Sequence, residues 1–337
     1  MKISNSSLTN RRTSRLLYTQ VMDNTTFRQT ILENRKTIFD LFKTNDRLDR
    51  IEYLAEGDDN YIYKIWGKQA IYALRILKPT NKRIKQDYDF EFAFQNYLRR
   101  HAIPIPMPYL CKNNQPYATL DVGGAQLQLT LYEFVTGQTV TDPSVAQVQA
   151  VGTLLGKLHR LAATCHISYD RLEHVDALSW LEDASIKPTA NDDLTQKAYV
   201  LYQEHAKYVK ENLPAFTEVP LHNDIHFGNL LFDGDRIVAV LDFDESHKHY
   251  IPLELGWSTG KICNFGNLED FKTNLKAFQK SYSQEYNEQV SSELEESVVN
   301  SALIAEVGRK FLKNPTDLMR GKDFKTSLIC STQATHC

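Results

Sequence analysis

The residues whose types and spacing could do chemistry lie on one loop and one β-hairpin in the second half of the chain. Asp224 lies on the loop, Asn229 follows five residues later at the start of a predicted strand, and Asp242 ends the next predicted strand. Antiparallel pairing across a tight turn would bring Asn229 and Asp242 to the same edge of the hairpin. Amide and carboxylate oxygens are hard ligands, of the kind that hold Mg²⁺ together with substrate phosphates. A carboxylate beside them could orient an attacking hydroxyl group or accept its proton, which is the division of labour in phosphoryl transfer.

The spacing of these residues matches two kinase motifs. His222, Asp224 and Asn229 fit the pattern His-x-Asp, four residues, Asn, and Asp242-Phe243 fits the first two positions of Asp-Phe-Gly. On these residues the chain resembles the aminoglycoside phosphotransferase and choline kinase superfamily, whose members are small-molecule kinases with a protein-kinase-like fold. The resemblance covers about residues 45–310.

The resemblance implies a role for each matched residue. Asp224 would be the catalytic base or the group that orients the hydroxyl, and Asn229 and Asp242 would be the metal ligands. His222 would support the catalytic loop, and His226 would belong to the loop scaffold rather than act as a ligand. An ordinary hairpin with solvated acids could carry the same residues, but two motifs joined by a hairpin of the right length favour the kinase-type site.

Two positions differ from the full motifs. Asn223 stands where family members usually carry Gly, and Asp244 stands where Asp-Phe-Gly has its Gly, which members of the family commonly lack. Asp244 could be a second acidic group near the metal or near an amine of the substrate. With Glu245 and Glu254 it hints at an amine-bearing alcohol, although surface acids are common and solvated. Three aromatic residues could line the same pocket or belong to the core: Tyr169, Trp180 and Tyr250.

A protein-kinase-like fold also needs a strand cation for the α- and β-phosphates and a helix acid that pairs with it. Arg75 on the predicted strand 70–77 and Glu91 on the following predicted helix fill these places. Arg suits phosphate because its guanidinium can donate two N–H groups at once. A strand cation that faces water and a solvated helix acid are the alternatives, because the apolar neighbours of Arg75 leave its face undecided. Lys64 and Lys78 are the other candidate cations.

Two further segments resemble nucleotide-binding parts of the family. The loop at 56–61 contains one Gly, and Asn60 matches an Asn that is common there in the family. This loop would offer backbone N–H groups to the phosphates. The segment 132–135 resembles the linker between the two lobes, in which the backbone of Glu133 and Val135 would receive the adenine edge.

The order of elements predicts a small sheet with one helix in the first half and mainly helices after Gly137. The resemblance implies an α+β, protein-kinase-like two-lobed fold, with a small antiparallel-sheet N-terminal lobe and a mainly helical C-terminal lobe. The predicted parts are a disordered tail at 1–24, an N-terminal lobe at 25–135, a C-terminal lobe at 136–313 and a frayed tail at 314–337. The N-terminal lobe is expected to hold a leading helix, the sheet and one further helix. The predicted elements are a helix at 25–43, a hairpin of strands at 61–66 and 70–77, a helix at 87–100, a strand at 127–134, a helix that Asp142-Pro143 begins, a hairpin at 229–241, and helices near 194–212, 268–284 and 291–312.

The composition of the chain is that of an ordinary globular protein. The 337 residues are 42% hydrophobic and 24% charged, so wholesale disorder is excluded. The net charge of -3, from 39 basic and 42 acidic residues, gives no reason to expect nucleic acid or an anionic membrane as a partner. No stretch approaches the ~18–20 apolar residues that a membrane span needs.

The cysteines and the N-terminus bear on the cellular setting. Five cysteines, an odd number with no C-x-x-C pair, disfavour a zinc site or a disulfide framework and fit a reducing, cytoplasmic setting. Cys111, Cys165 and Cys263 are expected to be buried as small hydrophobic residues. The basic, Ser/Thr-rich segment before the first acid, Asp23, weakly resembles an organelle transit segment, but a disordered tail is the preferred interpretation.

The resemblance implies an ATP- and Mg²⁺-dependent enzyme that transfers the γ-phosphoryl group to a hydroxyl of a small molecule. The acceptor would be an amino alcohol, an aminosugar or aminoglycoside, or a homoserine-like compound, and GTP stays open as the donor. A Ser/Thr protein kinase of the same fold is one alternative, and the lack of an activation segment with Ala-Pro-Glu after Asp242 argues against it. A non-catalytic nucleotide-binding scaffold is the other, and the presence of a base and both metal ligands argues against it.

Overall fold

A computed structural model of the chain describes residues 24–57, 59–79, 81, 83–122, 125–168, 171, 186–188, 192–263, 268–286 and 293–313. The tail predicted at 1–24, apart from Asn24, lies outside the described residues, and so does the tail predicted at 314–337. The same holds for Tyr169 and Trp180, two of the three aromatic residues placed in a possible pocket; the third, Tyr250, lies within the described residues.

The chain splits into two compact units. The first consists of Met1–Tyr88 with Pro106–Phe134, and the second of Asp89–Ile105 with Val135–Cys337. The lobes drawn from the sequence differ from these units in the segment 89–105, and their boundaries stay a prediction.

The first unit is built on an antiparallel sheet. Its strands follow the order β1-β2-β3-β6, and β4 and β5 both pair with the edge of β6 that faces away from β3. The predicted hairpin is confirmed as β2 and β3, and the predicted strand at 127–134 as β6. The elements of this unit are α1 (Asn24–Glu33), α2 (Arg35–Phe39), β1 (Leu48–Glu56), β2 (Asn60–Gly67), β3 (Ile71–Leu77), β4 (Pro108–Tyr109), β5 (Ala118–Val122) and β6 (Ala125–Glu133).

The alternation of side chains along β3 decides the face of Arg75, which the sequence left open. Tyr72, Leu74 and Ile76 are buried in the core of the first unit. Because successive side chains of a strand point to opposite faces, the half-buried Arg75 projects from the face opposite to this core.

The leading helix differs from its prediction, because it is interrupted at Asn34. This residue has φ -89° and ψ 4°, outside the helical region, and α2 begins after it. Strand β1 was not predicted, because its side chains lack the alternation of a half-buried strand and only Ile51 is fully buried.

The second unit is mainly helical, with two short strand pairs. The hairpin predicted at 229–241 is confirmed as β8 and β9, and the helices predicted near 194–212, 268–284 and 291–312 are confirmed. Its elements are the greater part of α3 (Lys85–Arg100), α4 (Val145–Ala162), α5 (Asp193–Asn212), β7 (Val219–Leu221), β8 (Leu230–Asp233), β9 (Arg236–Val240), β10 (His247–His249), α6 (Ile251–Ile262), α7 (Leu268–Tyr286) and α8 (Glu293–Lys313).

The start of α4 is a correction to the sequence prediction. The N-cap is Ser144 rather than Asp142, because the Ser144 hydroxyl accepts the N–H of Gln147 while the Gln147 side chain accepts the N–H of Ser144. This reciprocal capping box satisfies two backbone N–H groups, which a cap at Asp142 would leave unpaired.

Helix packing in the second unit depends on close backbone approach. Helix α4 packs against α7, and α6 packs against α8. A Cβ atom added to Gly152 of α4 would lie 2.6 Å from the carbonyl oxygen of Phe278. A Cβ atom added to Gly256 of α6 would lie 2.6 Å from the Cβ of Ala302 and 2.8 Å from the carbonyl oxygen of Val299. Both crossings therefore require glycine.

We expect Gly256→Ala to lower the free energy of unfolding by about 1–3 kcal/mol, because overpacking would force α6 away from α8. Chemical denaturation of the whole chain checks this. Gly57→Ala is the matched control, since its added Cβ would meet only the carbonyl oxygen of Asn60, at 3.9 Å. Equal stability of the two variants would contradict the expectation.

The described cysteines are buried, as expected. Burial raises the pKa of the Cys111 and Cys165 thiols to about 11, and raises the pKa of Cys263 further. Cys330 and Cys337 lie outside the described residues. Within the described part of the chain, no helix combines the length and the apolar character that crossing a bilayer would require.

Candidate active site

The hairpin of β8 and β9 brings the two predicted metal ligands to its open end. Leu230 pairs with Val240, and the backbone N–H of Leu241 donates to the carbonyl oxygen of Asn229 at 2.8 Å. Asp242 follows directly. The turn at the closed end contains Gly234 with φ +62°, a left-handed conformation that glycine adopts without steric cost. The local sequence thus sets the position of Asn229 beside Asp242.

Asp224 lies at the centre of a set of hydrogen bonds. Its Oδ2 accepts the side-chain amide of Asn229 at 2.8 Å, and its Oδ1 accepts Lys261 Nζ at 2.5 Å. The Nε2 atom of His226 lies 3.4 Å from Oδ2. The Asp224 side chain keeps 27% of its surface exposed, so it can still be reached by a small molecule.

The surroundings of Asp224 decide its protonation state. Burial alone would raise the pKa of this carboxyl, but the contacts with His226 and Lys261 outweigh burial and hold the pKa far below its ordinary range. Asp224 is therefore ionised near neutral pH. A carboxylate of such low basicity can orient a hydroxyl group, and it can accept the proton only as the hydroxyl oxygen begins to bond elsewhere.

The amide of Asn229 is oriented by Asp224. Its Nδ2 donates to the carbonyl oxygen of Asp224 at 2.9 Å as well as to the carboxylate. The other end, the Oδ1 oxygen, is the end suited to a cation. This oxygen and the Asp242 carboxylate are hard-oxygen donors from the same end of the hairpin, and donors of this kind suit Mg²⁺, which fills its remaining positions with phosphate and water. Among the described residues, no group of three or more His, Cys, Asp or Glu side chains could hold a metal ion.

His222 joins the catalytic loop to the hairpin. Its Nδ1 accepts the backbone N–H of Asp224 at 3.2 Å, which places the ring proton on Nε2, and Nε2 donates to the carbonyl oxygen of Leu241 at 2.9 Å. Burial lowers the pKa of His222 and keeps the ring neutral. The contacts of His222 are those of a supporting residue, and its role stays a prediction.

The structure shows how Asn223 is accommodated at the position where the resemblance implies glycine. Its φ is +64°, a left-handed conformation that Asn tolerates better than most residues with a side chain. The side chain adds contacts that glycine lacks, because Nδ2 lies 2.9 Å from His247 Nδ1 and donates to the carbonyl oxygen of Glu245. Asp242 is also left-handed, with φ +58°.

A buried chain of hydrogen bonds holds the loop from behind. The Oε1 atom of Glu254 accepts the backbone N–H of Asn223 at 2.5 Å, and its Oε2 lies 2.8 Å from His159 Nε2. The other ring nitrogen of His159 lies 2.8 Å from the Tyr282 hydroxyl. Glu254 is 1% exposed and His159 is 0% exposed. Because His159, Glu254 and Tyr282 belong to α4, α6 and α7, the network joins these three helices.

This network corrects one sequence interpretation. Glu254 was grouped with the acids that could receive an amine of the substrate, but both of its oxygens are used inside the protein. Burial raises the pKa of Glu254, but the contacts with His159, His222 and the Asn223 N–H together outweigh burial and keep the pKa below its ordinary value. Glu254 therefore positions the loop and offers no charge to an acceptor.

Sequence reasoning missed Lys261. It lies on α6 seven residues after Glu254, which is two helical turns, so both residues face the catalytic loop. The spacing of seven residues was the only sequence feature that could have linked Lys261 to the site. To use it, one must know that α6 packs with this face against Asp224.

The predicted phosphate-binding pair is found in different units. Arg75 belongs to the first unit, where its Nε donates to the Thr130 hydroxyl at 3.0 Å. Glu91 belongs to the second unit, where it is 0% exposed and accepts Gln95 Nε2 at 3.0 Å. The alternative that Glu91 is a solvated acid is wrong. The nucleotide-binding roles of both residues stay predictions.

The two alternative cations already have local partners. Lys78 Nζ lies 2.8 Å from the carboxylate of Glu56. Lys64 Nζ lies 4.0 Å from the centre of the Phe134 ring. Arg75 has local partners as well, so the preference for Arg75 as the phosphate-binding cation stays a prediction.

The other predicted nucleotide residues have clear local settings. Asn60 is buried at the start of β2, and its carbonyl oxygen accepts the N–H of Gly57 at 2.9 Å, which closes the preceding loop. Glu133 exchanges hydrogen bonds with Met107, since its N–H donates to the Met107 carbonyl and its carboxylate accepts the Met107 N–H. The boundary between the units falls just before Val135. Contact of these residues with a nucleotide stays a prediction.

Comparison with curated proteins finds homoserine kinases. The homoserine kinase of Zymomonas mobilis subsp. mobilis is 26% identical over 237 residues, which are 67% of this chain and 66% of that protein. The homoserine kinase of Nitrobacter winogradskyi is 28% identical over 215 residues, or 60% of this chain and 61% of that protein. The matched segments span slightly less than two thirds of the length of these relatives.

Comparison with solved structures finds small-molecule kinases. An amicoumacin kinase, hAmiN, in complex with AMP-PNP, Ca²⁺ and Ami, superposes with a TM-score of 0.63 at 16% identity, over 97% of this chain and 95% of that chain. A microcompartment-associated aminopropanol kinase superposes with a TM-score of 0.61 at 15% identity, over 89% of this chain and 98% of that chain. These likenesses confirm the predicted protein-kinase-like fold.

The model of the phosphotransferase enzyme family matches residues 50–282, more than half of the chain. This range includes Arg75 and all the residues of the loop, the hairpin and α6 that surround Asp224. On its sequence and its fold, the chain belongs to the phosphotransferase enzyme family.

Proposed function

We propose that this protein transfers the γ-phosphoryl group of ATP to a hydroxyl group of a small molecule, with Mg²⁺ as the metal. The observation that carries the proposal is the contact between Asp224 and Asn229 at the open end of the hairpin, beside Asp242. A hydroxyl-orienting carboxylate and hard-oxygen metal ligands are the parts that this chemistry requires.

Each residue has a defined part in the proposed reaction. Asp224 accepts a hydrogen bond from the acceptor's hydroxyl group, aims the hydroxyl oxygen at the γ-phosphorus and takes its proton as the new bond forms. Asn229 Oδ1 and the Asp242 carboxylate would hold Mg²⁺. When bound, Mg²⁺ neutralises charge on the phosphate oxygens. His222 and Glu254 keep the loop in place through the backbone of Asp224 and Asn223.

A small molecule is the favoured acceptor, rather than a protein. Asp242 is followed by β10 at His247–His249 and then by α6 from Ile251. This short connection leaves no room for the activation segment on which protein kinases bind their peptide substrates. The alternative of a Ser/Thr protein kinase therefore lacks its substrate-binding element.

The acceptor is proposed to be an alcohol that also bears an amine. The named relatives and structural neighbours include homoserine kinases and an aminopropanol kinase, and both names denote amine-bearing alcohols. Asp244 and Glu245 are the remaining acids that follow the hairpin, since Glu254 is used internally. We propose a homoserine-like amino acid or an amino alcohol as the first class to test.

The test combines nucleotide binding with product formation. We expect Mg²⁺-ATP at about 100 times its Kd to stabilise the folded chain by about 2.7 kcal/mol, measured by thermal unfolding. We expect Asp242→Ala to remove most of the stabilisation by ATP that depends on Mg²⁺. Phosphorus NMR of reactions with L-homoserine, 1-amino-2-propanol and an aminoglycoside should then show a new phosphate ester. Absence of stabilisation by ATP or GTP would remove the proposed function.

A further inference from the structure

Lys261 is a cation placed directly at the proposed reacting centre. It lies in the last turn of α6, and its Nζ is 2.5 Å from Asp224 Oδ1. Its side chain is 22% exposed and that of Asp224 is 27% exposed, so neither partner of this ion pair is fully buried. No motif of the sequence assigned it a role.

The geometry limits where an acceptor's hydroxyl can bind. Asp224 Oδ2 is taken by Asn229 Nδ2 and lies near His226 Nε2, so Oδ1 is the oxygen that is less crowded. A hydroxyl that donates to Oδ1 would share this atom with Lys261. Two groups that hydrogen-bond to one oxygen lie within about 5 Å of each other. The phosphorus under attack lies about 3–3.5 Å from the hydroxyl oxygen, so an acceptor bound at Oδ1 brings the γ-phosphoryl group to the end of Asp224 that Lys261 contacts.

The bonding capacity and charge of Lys261 suit such a contact. An ammonium group has three N–H donors, and Asp224 uses one. During phosphoryl transfer negative charge is spread over the three equatorial oxygens, and a fixed cation beside them lowers the barrier. The same cation also separates that developing charge from the negative charge of Asp224.

We propose that Lys261 is a catalytic residue that donates one hydrogen bond to Asp224 and another to an equatorial oxygen of the γ-phosphoryl group. The inference rests on the proposed function. The acceptor oxygen forms its bond to the γ-phosphorus while the bond from phosphorus to the β,γ-bridging oxygen breaks, and the electron pair leaves with ADP. The hydroxyl proton passes to Asp224. Lys261 stays protonated throughout.

The test measures binding of Mg²⁺-ADP and of Mg²⁺-AMP-PNP to the whole chain by calorimetry, because only AMP-PNP carries a γ-phosphoryl group. In Lys261→Met we expect AMP-PNP to bind about ten times more weakly and ADP to bind within a factor of two of the original chain. Lys261→Gln should behave in the same way, and Lys261→Arg should recover part of the loss. Lys272→Met is the matched control, since this lysine is 54% exposed and pairs with Glu269 on α7.

Each outcome decides a separate point. If the variants bind both nucleotides equally more weakly, or bind both as the original chain does, Lys261 has no contact with the γ-phosphoryl group and the inference is overturned. A purely structural role would weaken the binding of ADP as much as the binding of AMP-PNP. If the original chain binds neither nucleotide, the proposed function fails, and the inference fails with it. Selective loss of AMP-PNP in both neutral variants supports the inference even before an acceptor is known.

Discussion

Replacing Asp224 by Asn should lower kcat for phosphoryl transfer by about 10²–10⁴-fold, the usual contribution of a positioned general base. Asn keeps the size of the side chain but cannot take the proton of the hydroxyl. It also removes the negative charge that Lys261 and His226 contact. Binding of Mg²⁺-ATP should change little, because the Asn229 amide keeps the backbone carbonyl of residue 224 as its acceptor and the side-chain oxygen of the introduced Asn can still accept from Lys261.

Initial rates of ADP formation with a saturating acceptor, beside calorimetric binding of ATP, check this result. Asp233→Asn is the matched control, since Asp233 lies on the same hairpin, is 71% exposed and pairs with Arg236 across the turn. A rate within tenfold of the original chain would remove Asp224 from the catalytic role. A parallel loss of ATP binding would show that Asp224 acts in nucleotide binding instead.

The pH dependence of the rate follows from the same contacts. The pKa of Asp224 is held far below its ordinary range by His226 and Lys261, against the effect of burial. A lowered pKa means that the ionised form persists to lower pH. The acid side of the kcat/KM profile should therefore show no loss from Asp224 until below about pH 3.9, the ordinary value for Asp. In Lys261→Met the loss should move to higher pH.

Replacing Glu254 by Ala should lower the free energy of unfolding by about 2–6 kcal/mol, because it leaves two buried N–H donors without an acceptor, at about 1–3 kcal/mol each. The change removes the acceptor of the Asn223 N–H and leaves His159 without its partner on α6. Because Asn223 precedes Asp224, activity should fall even at temperatures where the variant stays folded. Chemical denaturation and initial rates measure the two effects separately.

The matched control is Glu285→Ala. Glu285 pairs with Arg160, which is 47% exposed. Like the buried network, this pair joins α4 to α7. A surface pair of this kind contributes about 0–1 kcal/mol. If the Glu254 and Glu285 variants lose equal stability, the buried network does not hold the loop.

Glu254→Gln removes the charge and, because an amide has only one acceptor oxygen, one of the two accepted hydrogen bonds; the pH dependence isolates the charge. The pKa of Glu254 is below its ordinary value of 4.5, so its charge stabilises the fold above that pH, and the contribution is lost as pH falls through the lowered pKa. The difference in unfolding free energy between the original chain and Glu254→Gln should therefore shrink below about pH 4.5. A difference that is constant with pH would show that the charge adds nothing.

The sequence predicted what local spacing determines. Asp224, Asn229 and Asp242 are joined by a short loop and a tight hairpin, so their proximity follows from strand pairing over a few residues. The core face of β3 follows from alternation once the apolar side is known. The protein-kinase-like fold followed from the family resemblance and from the order of elements.

The rest depends on packing between distant segments. His159, Glu254 and Tyr282 lie on three helices far apart in the chain, and no periodicity shows that they meet. For the same reason, Glu254 was interpreted as an acid of the substrate site, because sequence proximity to the hairpin does not reveal burial. Lys261 was missed because its contact with Asp224 depends on how α6 packs against the loop.

The two hydrogen bonds of His222 have a consequence for the entropy of catalysis. The imidazole ring is rigid, and it connects the N–H of Asp224 to the carbonyl of Leu241, next to Asp242. The backbone of Asp224, proposed to aim the acceptor's oxygen, and the backbone beside Asp242, proposed to hold the metal, are therefore fixed relative to each other when the chain folds. For a phosphotransferase, part of the entropy cost of aligning the hydroxyl with the phosphate is then incurred once, during folding, and not in every turnover.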